Sequence, residues 1–141
     1  MYPPSAILAA GGISAEAAAA VTGLADLDAA DVRPAPWWMR SLWTSGTAAM
    51  ALPWAIYVAP DRLEDADLSV LVLHELVHVR QWQRFGPRRF LWIYLKDYVS
   101  GRRRGLAHES AYLGIRFETE ARVAVARYLA TTGENASGLN P

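Results

Sequence analysis

Asp65-Ala66-Asp67-Leu68-Ser69-Val70-Leu71-Val72-Leu73-His74-Glu75-Leu76-Val77-His78-Val79-Arg80-Gln81-Trp82-Gln83-Arg84-Phe85 decides the reading of this chain. Leu68, Leu71, Val72, Val79 and Trp82 recur at helical spacing, and Gly86-Pro87 supplies a stop, which predicts a helix from about Asp65 to Phe85. The acidic residues before it, Asp61, Glu64, Asp65 and Asp67, suit the positive end of a helix dipole. On that helix His74 and His78 lie one turn apart on the same face, so two imidazoles can converge on one cation while the backbone stays fully hydrogen-bonded.

Glu75 projects about 100° round the helix from His74, where a carboxylate can stand beside a metal-activated water without occupying the metal. This arrangement predicts a division of labour. Zinc lowers the pKa of bound water to about 7, Glu75 takes the proton as general base, and the hydroxide attacks a polarised carbonyl. His-Glu-x-x-His arises by chance in a chain of this length on the order of once in several hundred sequences, so the motif is specific enough to build on. Three titratable groups amid Leu71, Val72, Leu73, Leu76, Val77 and Val79 would be costly to desolvate without a metal or polar partners.

Catalytic zinc requires a third protein ligand. There are no cysteines among the 141 residues, so the choice falls on His108 or a downstream carboxylate, Glu118 or Glu120. Both glutamates open a predicted third helix, from about Phe117 to Ala130, that buries Phe117, Ala121, Val125, Tyr128 and Leu129. His108 and Tyr112 are also candidates to donate to a developing oxyanion.

The run His74 to Trp82, followed some forty residues later by Phe117-Glu118-Thr119-Glu120-Ala121, resembles the thermolysin-like gluzincin clan, in particular its small bacterial members of uncharacterised substrate. The resemblance covers about Thr47 to Arg127. It implies a zinc metallopeptidase with Glu118 as third ligand and Glu120 as second choice. It also implies an α+β, mainly α fold, with short edge strands or a hairpin packed on a zincin-like bundle of about three to four helices. By the same analogy a peptide or protein substrate adds as a strand along Ala55 to Ala59, held mainly through its backbone. The clan usually carries an aspartate four residues after the ligand glutamate, supporting a ligating histidine; here Arg122 stands there, so that support must come from elsewhere. The alternative function is an inactive, zinc-stabilised binding module that docks a protein or an anionic partner.

Length predicts one domain. Residues 1 to 40 read as an extension of unassigned docking, with a helix over Ala15 to Val21 capped by Ser14 and closed by Gly23. Ala25 to Pro36 reads as a loop. Trp37, Trp38, Met39, Leu42 and Trp43 read as packing. Thr47 to Leu52 and Ala55 to Ala59 read as a hairpin or edge strands. A second helix is expected over Arg88 to Ser100, ended by Gly101, and a mobile tail from residue 133.

Net charge is zero, yet residues 1–79 carry 3 basic and 9 acidic side chains, and residues 80–104 carry 8 basic and 1 acidic. The basic run Gly101-Arg102-Arg103-Arg104-Gly105, with Arg88, Arg89 and Lys96, reads as a solvated surface; no nucleic-acid-binding fold accompanies it. No apolar run is long enough to span a membrane and no secretory signal is legible, so a cytoplasmic location is expected.

Overall fold

The computed structural model describes residues 2–43 and 46–137, with side chains described as far as Thr132. The fold is α+β and mainly α, and the chain divides into two compact units, residues 1–84 and 85–141.

In the first unit, α1 (Pro4–Ala10) and α2 (Ala15–Thr22) precede β1 (Asp31–Pro34), α3 (Trp37–Arg40), β2 (Ala49–Ala51) and β3 (Ala55–Val58). A 3-10 turn at Pro60–Arg62 then leads into α4 (Leu68–Phe85). Ser14 caps α2 as expected, its hydroxyl accepting from the Ala17 amide at 3.1 Å, and Gly23 ends the helix at φ 75°. A left-handed residue at that position favours glycine.

The strands form one sheet in the order β1-β3-β2, with β1 parallel and β2 antiparallel to β3. β3 is therefore the central strand, which corrects the expectation that Ala55 to Ala59 offers an edge to a substrate. Residues 31–34, expected as loop, pair along β3, because Val32 fills the core from a strand too short to show a period.

Residues 2–40 are built into this unit rather than appended to it: Leu8, Ala18 and Val32 are all fully buried. Asp28 ties the start of α1 down by accepting from the Ser5 amide at 2.9 Å and the Ser5 hydroxyl at 2.7 Å. Gly11, closing α1, lies directly on Ser69 of α4; a Cβ at Gly11 would fall 2.1 Å from the Ser69 Oγ. The aromatic cluster is not core. Trp37 is 81% and Leu42 78% exposed, since the four-residue α3 after Pro36 turns at the surface while aliphatic and alanine side chains fill the interior.

α4 is buried on nearly every side, through Val72, Leu73, Leu76, Val77, Val79 and Trp82. An apolar stripe alone would give a one-sided helix; burial all round marks a central one. The Trp82 indole donates to the Ala51 carbonyl at 3.0 Å and so fixes α4 to β2. The helix starts at Leu68 rather than Asp65, because Arg62 holds the Asp65 carboxylate at 3.0 Å and the Asp65 carbonyl accepts from Leu68 outside the helix.

The second unit holds α5 (Pro87–Arg103), α6 (His108–Leu113) and α7 (Arg116–Ser137). Phe90 and Phe117 stack with centroids 4.7 Å apart and planes 6° from parallel, at the heart of its core. Gly101 does not end α5 as expected. It lies inside the helix, where a Cβ would approach Ala111 of α6 to 3.1 Å, so glycine here serves close helix contact. α7 likewise runs past Gly133 to Ser137, Thr131 and Thr132 each donating to the carbonyl four residues back at 2.9 Å. Residues 138–141 of the expected tail lie outside the described residues. Leu129, expected to be buried, is 46% exposed.

Candidate metal centre

The i, i+4 spacing on α4 places the rings of His74 and His78 edge to face, with centroids 5.0 Å apart and planes at 75°. Glu75 and His78 are buried at 6% and 5% exposure, and His74 is half-buried. Polar groups on such a helix need partners. For His78 one partner is Gln81, one turn further along and 2% exposed, whose Oε1 lies 2.7 Å from the ring Nδ1. With Nδ1 donating to that amide oxygen, the buried Nε2 would be the nitrogen left to ligate a metal.

Glu118 lies in the first turn of α7 and is 6% exposed. One ligand atom each from His74, His78 and Glu118 lies within 4.8 Å of the others, the one such group of three among the described residues. Of the three candidates for a third ligand, Glu118 is the one in this group. Glu120 is exposed and lines a shallow hollow with Arg116, Thr119 and Arg127. His108 is exposed on α6 and engages the Tyr98 hydroxyl through Nδ1 at 2.7 Å. Tyr112, also on α6, is 37% exposed.

The start of α7 is held by Asp97 of α5. Its Oδ2 accepts from the Arg116 amide at 3.1 Å and Nε at 2.7 Å, and its Oδ1 from Nη2 at 2.8 Å. One carboxylate thus caps the helix and pairs bidentately with its first side chain, two residues before Glu118. The hydrogen bonds from the Arg116 side chain hold the Asp97 carboxyl below the usual range, against the opposing effect of burial.

Arg122 donates Nη2 to the Leu113 carbonyl at the end of α6 and to the Thr119 hydroxyl. It therefore closes the α6–α7 turn. Neither Gln81 nor Asp97 stood out as a functional residue in the sequence. Gln81 carried one signal, its place three residues after His78 on the same face; Asp97 carried another, as the lone acid of a basic segment. No protein-family model, curated protein or solved structure matches this chain.

Proposed function

We propose that this chain is a zinc-dependent metallopeptidase in which His74, His78 and Glu118 hold the cation and Glu75 is the general base. The observation that carries the reading is the approach of the three ligand atoms to within 4.8 Å of one another, with buried Glu75 next to His74 on the same helix. Two imidazoles and a carboxylate form a donor set used by catalytic zinc, which keeps a fourth position for water or substrate.

Bound zinc would supply a Lewis acid that polarises the scissile carbonyl and makes water acidic near neutral pH. The protein's own groups do the rest. Glu75 accepts a proton as the water oxygen bonds to the carbonyl carbon, then returns it to the amide nitrogen as the C–N bond breaks. Gln81 keeps His78 in its ligating tautomer. Placement on a central helix holds these groups still, which suits a general base that must meet its proton at hydrogen-bond distance.

With β3 in the middle of the sheet, β1 and β2 are its edges; Tyr2 bridges to Val32 of β1, and β2 is the edge offered to an extended peptide backbone. Ala48 accepts from Ala59 and Leu52 donates to Ala55, so alternation turns the backbone groups of Ala49 and Ala51 to the other side; Trp82 already takes the Ala51 carbonyl, and Ala49 is the residue proposed to pair with a substrate.

The test is peptide-library cleavage by protein purified without chelator, with zinc measured on the same sample. The expected result is zinc-dependent cleavage that falls about 100-fold or more in Glu75→Gln while zinc is retained. Cleavage unaffected by Glu75→Gln would contradict the assignment.

A further inference from the structure

α5 exposes an apolar stripe that the second unit does not use. Leu91 and Leu95 are each 56% and Trp92 66% exposed, with Val99 continuing the line. At 100° per residue these four fall within an arc of about 100°. Exposed basic residues bracket the stripe: Arg88 and Arg89 stand at one end, Arg102 and Arg103 at the other, and Lys96 flanks the middle. Asp97, the lone acid of residues 80–104, lies on the opposite face and is engaged by Arg116. The exposed face is therefore cationic throughout, with leucine and tryptophan at its centre.

We propose that this face of α5 docks on an anionic lipid bilayer, the helix lying in the plane of the headgroups with Leu91, Trp92 and Leu95 reaching the acyl boundary. Charge complementarity selects this occupant. A second copy of the chain would set the basic ends of one helix against a face that carries no acid to meet them, a juxtaposition that costs energy. A bilayer containing acidic phospholipid supplies both the negative surface and the apolar depth, and tryptophan favours their boundary. No single helix among the described residues is long and apolar enough to cross a membrane, so the contact is peripheral. The proposal does not depend on the metal centre.

The experiment is co-sedimentation of the full chain with vesicles of phosphatidylcholine alone and of phosphatidylcholine mixed with phosphatidylglycerol, at low and high salt. Binding is expected only to the mixed vesicles and is expected to weaken with salt. Each cation contributes about 1 kcal/mol, or roughly fivefold, near such a surface. Lys96→Glu combined with Arg103→Glu should therefore reduce partitioning by well over 20-fold. Trp92→Ser with Leu95→Ser should abolish binding at moderate salt. Both variants alter exposed side chains, and an unchanged circular dichroism melt verifies their fold. Equal binding to both vesicle types, no binding to either, or a salt-sensitive complex with RNA in preference to mixed vesicles would overturn the proposal. So would a dimer in light scattering that Leu95→Glu disperses.

Discussion

Nδ1 of His78 lies 2.7 Å from Gln81 Oε1. If His78 ligates zinc as proposed, this neutral amide would orient the imidazole without adding negative charge to it. Gln81→Leu is expected to weaken zinc binding by about 10–100-fold, measured by competition with a chromophoric chelator. Gln81→Glu should restore binding to at least the wild-type level, and unchanged affinity in Gln81→Leu would remove Gln81 from this role. His74, Glu75 and His78 were legible in the sequence because helical spacing is local and puts both imidazoles on one face. Gln81 was not, because the direction of a side-chain amide is settled by burial. Arg122 was legible only as a departure; its use in closing the α6–α7 turn depends on the position of the Leu113 carbonyl.

At the scale of elements, two contacts carry the largest expected effects. A Cβ at Gly11 would meet the Ser69 Cβ at 2.3 Å, and neither backbone-attached carbon can swing away. Gly11→Ala should therefore destabilise the fold by about 1–3 kcal/mol in urea denaturation, despite the helix-favouring nature of alanine.

The Asp97 cap has a pH signature. Its folded pKa lies below the unfolded value, so its contribution is present above the ordinary carboxylate range and is lost as pH falls through the lowered value. Asp97→Asn should therefore be less stable than wild type at pH 7, and the difference should close towards pH 3, as thermal melts across that range would measure. Arg116 is largely exposed, with 59% of its side chain accessible, so added salt should shrink the difference as well.

The long helices were legible because their apolar periods repeat for several turns. β1 and α6 were not, being four and six residues long and defined by their partners: the Val32 register on Ile56, and the close approach of Ala111 to Gly101. Trp37 and Trp38 show the converse, since hydrophobicity alone does not specify burial.

For the whole molecule, zinc that binds the folded chain and not the unfolded one must raise its stability, by about 4 kcal/mol at a free concentration a thousand times the dissociation constant. Chelation should accordingly lower the melting temperature of wild-type protein and leave that of His74→Ala unchanged; equal shifts in both would point to an effect of the chelator elsewhere. The mainly α composition and the small hairpin were accessible from local patterning, including the turn at Pro53-Trp54 between β2 and β3. The parallel pairing of β1 with β3, and the incorporation of residues 2–40 into the core, were not, because both join segments more than twenty residues apart.

Whether His74, His78 and Glu118 hold one zinc, as proposed, is read from zinc affinity and stoichiometry in wild type and in Glu118→Ala, Glu120→Ala and His108→Ala. About one zinc per chain is expected in wild type, Glu120→Ala and His108→Ala, with a loss of tight binding in Glu118→Ala alone. Wild-type protein that binds no zinc, or Glu118→Ala with undiminished affinity, would contradict the proposal.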